Sequence, residues 1–490
     1  MPAQNPTIAR NQYSSWMGLV YVFNLIVGTG ALTLPAVFAR AGWGLGLAAI
    51  IVLAFISFVT VTFVIETMSC ANALMHWKRL GLLKREKCIT DEDCADEISE
   101  DSFEIDNLER HPLMSRMPRF YEIDHQVELG EMASMFFNTA GRSVFYLCLC
   151  IYLYGDLSIY CAAVSESLVD ITCYIPANNT NNTILPCFPS EENSISRITV
   201  YNLCLSAFFC LMGPFAFFNV QKTKYLQMIT SFLRWLAFSI MIGIASWRLA
   251  TQGPQSQPSV AQVSGVPGLF GACVYSFMCH HSIPSLVAPI RNKSSLKKLL
   301  SCDYFLICVF YIVLAVTGTF AFANLEDLYT LNFLPSPDSV MMTLAHYFLA
   351  LFPVFTLSAS FPIIAITLRN NLQTLFLDNS RIESYNFFVR KMCFPLLAIV
   401  PPFLVAIGAR SLSGLVGFTG SYAGTGVQYL VPIGLVYSAR RQCNTIPALR
   451  HENQFKSPFK SNLWLIFILL WSIACVVLVS VNLFAPSKAN

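Results

Sequence analysis

Long apolar runs, separated for the most part by short polar stretches, set the pattern of this chain from one end to the other. Eleven reach spanning length, at about 16–39, 43–66, 143–169, 198–220, 225–247, 266–289, 302–323, 339–368, 392–409, 414–437 and 462–485. A helix needs roughly 20 apolar residues to cross the hydrocarbon core, where its backbone finds no water to bond. The runs therefore predict eleven transmembrane helices and an all-α polytopic membrane protein.

Two of the runs are interrupted. In the first, Gly28-Thr29-Gly30-Ala31-Leu32-Thr33-Leu34-Pro35 puts two glycines and a proline where a continuous helix is expected. Each glycine loosens the backbone, and the proline has no N–H to donate. Unpaired backbone at membrane depth must be buried in protein or line a cavity. The stretch reads as a broken helix around a binding site, or as small residues for close helix packing; Pro35 favours the break. The sixth run, Phe270 to Pro284, is interrupted by Gly271, His280, His281 and Pro284. If five helices form a repeat, the second copy enters the membrane upside down. That is the pattern of inverted-repeat secondary transporters with sites near the midplane.

Composition excludes a soluble protein. The 490 residues are 55% hydrophobic and 12% charged, with a mean hydropathy of +0.56, against roughly 25% charged in soluble domains. The first apolar run is too long for the core of a signal peptide, so it is expected to stay as a signal anchor. Net charge says little here, but charge placement says much. With the N-terminus cytoplasmic, 25 of the 31 Lys and Arg lie inside and 5 outside, leaving Arg234 within a span. Basic residues favour the cytoplasmic side, which predicts N-terminus in and C-terminus out. The expected organisation is a cytoplasmic 1–15, helices 1–2 at 16–66, and a cytoplasmic loop at 67–142. Helices 3–10 follow at 143–437, then a cytoplasmic loop at 438–461, helix 11 at 462–485 and an extracytoplasmic 486–490. The membrane of residence, plasma membrane or endosome and lysosome, is left open.

The loop after the third span carries Asn178-Asn179-Thr180 and Asn181-Asn182-Thr183, acceptor patterns for N-glycosylation at Asn178 and Asn181. Cys173 and Cys187 flank them and suit a disulfide in an oxidising compartment. The other cysteines fall mostly in apolar segments as small hydrophobes, with no metal spacing. The first inside loop holds ten of the 28 acids between Thr90 and Arg110 and no base there, a composition that does not fold alone. It reads as a solvated linker, with Glu109 to Met114 resembling an acidic dileucine sorting signal; protein partners, if any, would use 88–118. Beyond it, Ile123, Val127, Met132, Met135 and Phe136 could share one face of an interfacial helix.

At Asn24-Leu25-Ile26-Val27-Gly28-Thr29-Gly30-Ala31-Leu32-Thr33-Leu34-Pro35 the chain resembles the amino acid/auxin permease family, which includes sodium-coupled and proton-coupled amino acid transporters. Within it, the chain is similar to the transmembrane protein 104 branch at Met132 to Phe137, Tyr152 to Asp156, Gln221 to Tyr225, Tyr275 to Met278 and Tyr422 to Gly426. The resemblance implies a LeuT-like 5+5 inverted repeat with helices 1 and 6 broken, plus an eleventh helix. It implies a substrate carboxylate at freed N–H groups near Gly28, Thr29 and Gly30, at a helix N-terminus. The substrate ammonium would meet freed carbonyls at Tyr275, Ser276, Phe277 and Met278. In the sodium-coupled members an Asn ahead of the glycines and a hydroxyl on the eighth span help bind sodium; Asn24 and Thr356 match those positions. Asn24 reads equally as an interhelical hydrogen bond.

Asp156 lies near the middle of the third span. A carboxylate at that depth faces a cavity or a partner, so it reads as a proton-coupling group or as a structural partner of Arg234. Glu66, Asp170 and Asp303 lie near helix ends and are expected to be solvated. Adjacent His280 and His281 cannot both reach one ion from a regular helix, so a hydrogen-bonding or gating role is expected and no metal. No nucleophile elbow, phosphate loop or basic aromatic patch occurs, which argues against an enzyme and against nucleic acid. The expected function is alternating-access transport of an amino acid or similar zwitterion across the lipid bilayer. It would need no cofactor beyond Na+ or H+ as coupling ion. The alternative is a non-transporting sensor or scaffold on the same fold, with a channel as a weaker third reading.

Overall fold

The computed structural model describes residues 12–90, 120–173, 186–188, 195–217, 224–333, 340–377, 392–409 and 411–484. The acceptor asparagines Asn178 and Asn181 and most of the 88–118 segment lie outside them.

Among the described residues the regular elements are all helices, joined by turns and loops with only isolated bridges. The first predicted span is two helices, α1 (Ser15–Ile26) and α2 (Thr29–Ala41), bent by 55° at Val27 and Gly28. α3 (Trp43–Thr90) is 48 residues long, about 70 Å at 1.5 Å per residue; it runs well past its apolar stretch. The short α4 (Leu129–Phe136) leads into α5 (Thr139–Thr172). Next come α6 (Arg197–Met212), α7 (Lys224–Gln252), and the sixth predicted span as α8 (Val266–Ser276) and α9 (Ile283–Val287). α10 (Leu296–Ala321), α11 (Val340–Phe376) and α12 (Phe394–Gly408) follow. The tenth predicted span is α13 (Leu412–Thr419), two π-turns at Gly420–Gly424 and Gly426–Leu430, and α14 (Val431–Thr445); α15 (Asn462–Phe484) is last.

Among the described residues, seven helices are long and apolar enough to cross a membrane, eight with the bent pair α1 and α2. The predicted sixth, ninth and tenth spans are built of shorter or irregular pieces, and this is why length and apolarity alone stop at eight. Helix starts follow local chemistry. Asn138 caps α5 by accepting from the Gly141 N–H at 2.8 Å, and Ser411 caps α13 by accepting from the Gly414 N–H at 3.1 Å.

The burial pattern suits a bilayer. Leu463, Ile466, Leu470, Ile473 and Val477 of α15 point outwards, whereas Glu66, Asn72, Asp156, Asp303 and Gln428 are buried. The expectation of solvated acids near the helix ends is thereby corrected: Glu66, Asp170 and Asp303 are 2%, 9% and 0% exposed. Glu66 tolerates burial because the Arg440 guanidinium donates to both its oxygens at 2.8 and 2.7 Å and the Ser457 N–H adds a third bond at 3.0 Å. The predicted interfacial helix is also shorter than expected. It starts only at Leu129, behind a Glu128/Glu131 capping box, and Ile123 and Val127 are buried in the non-helical segment before it.

Cys173 and Cys187 are joined in a disulfide. Where α2 ends, the Arg40 guanidinium donates to the Asp327 carboxylate at 2.6 Å and to the Ser413 hydroxyl at 3.0 Å. Asp327 also accepts from the Ser411 and Ser413 hydroxyls and the Ser413 N–H at 3.0, 2.8 and 3.2 Å. Burial pushes the Asp327 carboxyl up. The Arg40 charge and the Ser413 donors outweigh that and hold it below the usual carboxylate range.

Candidate functional site

The two interrupted stretches meet. A Cβ on Gly30 would lie 2.5 Å from Ser276 Oγ and 2.6 Å from Ser276 Cα, so only glycine lets α2 lie against the end of α8. A Cβ on Gly28 would meet nothing within 4 Å, so the bend itself faces open space. Close packing falls to Gly30 and the helix break to Gly28. α2 begins at Thr29 with its first amides at the bend, where a helix start leaves N–H groups without intrahelical partners.

The second break runs from Phe277 to Ser282 between α8 and α9. It is held from α3 and α10. Ser57 donates to Phe277 O at 3.3 Å and shares a hydrogen bond with the Tyr304 hydroxyl at 3.0 Å, which also meets Cys279 Sγ at 3.2 Å. Thr60 Oγ1 and His280 Nε2 share a bond at 2.8 Å, and the His281 ring lies 5.8 Å from that of Tyr152. The two histidines serve the break as bonded and packed groups.

One residue joins the breaks. The Tyr311 hydroxyl reaches Ile26 O at 3.0 Å and Ser276 O at 2.9 Å, the last carbonyls of α1 and α8. Behind α8, Gly271 and Gly420 touch backbone to backbone: a Cβ on Gly420 would lie 1.9 Å from Gly271 O. The π-turns of the tenth span begin at this contact.

Asp156 is buried and accepts a hydrogen bond from the Tyr275 hydroxyl, on the last turn of α8. It is not paired with Arg234, whose guanidinium donates instead to Asn24 O at the end of α1. The Asn24 side chain is buried with neither its N nor its O bonded among the described residues. Thr356 donates to Phe352 O of its own helix at 2.8 Å and makes no bond to Asn24. Of the predicted residues, the structure brings together Gly28, Thr29, Gly30, Tyr275 and Ser276 with Asp156; Phe277 and Met278 line the turn that follows. Sequence reasoning missed Tyr304, Tyr311, Ser57 and Thr60. The signal available was two tyrosines seven apart, on one face of the seventh span.

A separate cavity of about 310 Å³ lies beside the Arg40 cluster, lined by Arg40, Ser264, Gly268, Ser413, Phe418 and Tyr422.

Comparison with known proteins bears on the family and the fold. The transmembrane amino acid transporter protein family matches residues 11–77 and 114–483. The chain is 53% identical to the Drosophila melanogaster transmembrane protein 104 homolog, over 96% of this chain and 97% of that one. It is 46% identical to human transmembrane protein 104, over 96% of each, and 35% to the Dictyostelium discoideum homolog, over 95% and 96%. Among solved structures it is similar to MhsT in complex with L-phenylalanine, with a TM-score of 0.55 at 12% identity over 97% of this chain and 100% of that one. At that identity the likeness shows the fold, which is LeuT-like.

Proposed function

This chain belongs to the transmembrane amino acid transporter protein family, in the group of the transmembrane protein 104 relatives, and on that premise we propose that it is an ion-coupled secondary transporter of amino acids or similar small zwitterions. The observation that carries the reading is the contact of the two breaks at Gly30 and Ser276, beside the open space at Gly28. The amides at the start of α2 suit a carboxylate, and the end of α8 at Tyr275 to Met278 suits an ammonium. L-phenylalanine, bound by the similar MhsT, is a first substrate to try. We place the site near the midplane of eleven spans, with the N-terminus cytoplasmic and the C-terminus and a glycosylated, disulfide-bonded loop outside. The coupling ion would be sodium at Asn24 and Thr356 or a proton at Asp156.

Uptake of labelled amino acids by proteoliposomes, with sodium and proton gradients imposed in turn, tests this. Accumulation above protein-free vesicles is expected for at least one amino acid. Absence of uptake across the full set under both gradients would count decisively against it. A second reading, a sensor on the same fold, draws on the 48-residue α3, which extends far beyond what a bilayer needs. It predicts binding without flux, and a cellular phenotype lost when 88–118 is deleted.

A further inference from the structure

A helix end at membrane depth leaves its last carbonyls unpaired, carrying about half a negative charge, and both breaks create such an end. At the end of α1 the Phe23 carbonyl accepts from the Val27 N–H at 2.9 Å and the Ile26 carbonyl from Tyr311. The Asn24 carbonyl accepts from the Arg234 guanidinium. At the end of α8, Cys273 O accepts from the Phe277 N–H at 3.0 Å, Tyr275 O from the Met278 N–H at 3.3 Å, and Ser276 O from Tyr311. These ends are closed mostly by the protein's own donors, and one of the donors is a full positive charge.

Arg234 cannot give up that charge, because a guanidinium stays protonated in proteins. Holding it at membrane depth is costly, which marks such a residue as functional by default. It makes no ion pair among the described residues. Its counter-charge is the carbonyl end of α1. A hard cation needs several oxygen ligands at once. Here the guanidinium already occupies the Asn24 carbonyl, whereas the Asn24 side-chain oxygen and the Thr356 oxygen, whose hydrogen points to Phe352 O, would be open to a cation once the guanidinium is gone.

We propose that Arg234 is a tethered cation that stands at the end of α1 where a dissociable coupling ion would otherwise bind, so that the site works without sodium. The inference rests on the transporter reading for its purpose, and on the chemistry of the α1 end for its content.

The test needs no substrate and no flux. The full-length protein, purified in detergent, is melted at constant ionic strength in sodium, potassium or N-methylglucamine chloride. Wild type should melt at one temperature in all three. Arg234→Lys, which keeps the charge, should also ignore sodium. Arg234→Met, similar in bulk but neutral, should melt several degrees lower and recover part of the loss in sodium alone. A saturable, sodium-specific rise in wild type or in Arg234→Lys overturns the proposal. So does an Arg234→Met protein that melts like wild type and ignores sodium. Should Arg234→Met not fold, wild type and Arg234→Lys decide the matter. A wild type that ignores sodium yet moves no amino acid supports the tethered cation and defeats the transporter reading. Uptake that requires sodium does the reverse.

Discussion

The two breaks solve the same problem by different means. The first is a sharp bend over Val27 and Gly28, and its exposed carbonyls are closed by side chains from α7 and α10. The second is a longer turn from Phe277 to Ser282, tied by the side chains of Ser57, Thr60 and Tyr304 from α3 and α10. A bend with few anchors can change its angle at little cost, whereas a turn with many anchors must break several bonds to move. On this count the first break is the cheaper of the two to bend and the second the costlier, with α10 touching both.

Predictions that test the contrast differ in size. Gly30→Val should be the most severe, because its side chain would enter the space held by Ser276. Uptake should fall to background while the protein still inserts, with a stability loss of about 1–3 kcal/mol from overpacking. Next comes Tyr311→Phe, which strips the donor from two buried carbonyls and should cost about 1–3 kcal/mol, read by denaturation in detergent. Tyr304→Phe touches only the second break and should cost less, about 0.5–1.5 kcal/mol. A larger loss for Tyr304→Phe than for Tyr311→Phe would undo the idea that α10 couples the breaks through Tyr311.

The smallest effect belongs to the Arg40–Asp327 cluster, which lies away from both breaks. The Arg40 side chain is 54% exposed, so Asp327→Asn should cost about 0.2–1 kcal/mol. Its pH dependence has a definite sign. The folded carboxyl is held below its ordinary value, so its contribution is present above about pH 3.9 and fades as pH falls through the lower folded value. Melting curves of wild type and Asp327→Asn should keep a constant separation between about pH 7 and pH 5 and converge only below about pH 3.9. Convergence already at pH 5 would show that the cluster does not hold the carboxylate as described.

Much of this architecture was legible in advance. Apolar runs located the long helices, and Gly28, Gly30 and the His280 to Pro284 stretch located both breaks, because backbone cost in a membrane is written directly in glycine, proline and polar positions. Cys173 and Cys187 were paired correctly from their shared loop. Other features were hidden because they depend on which helices become neighbours. Asp156 meets Tyr275 and not Arg234, and Glu66 is buried because Arg440, 374 residues away in sequence, reaches it. The π-turns at Gly420 to Leu430 leave no periodicity to read; the first begins where Gly420 meets the backbone of Gly271, a neighbour that local sequence does not announce.

The Tyr311 hydroxyl carries one hydrogen and stands before two acceptors, at Ile26 and Ser276. It can satisfy only one fully at any instant, so the bond is shared in time and not doubled. If the end of α1 swings away, the hydrogen passes to the end of α8; if α8 retreats, it passes back. At that atom neither movement strands a donor. A tilt of one half-helix there becomes an exchange between two nearly equal partners, which smooths the path between conformations.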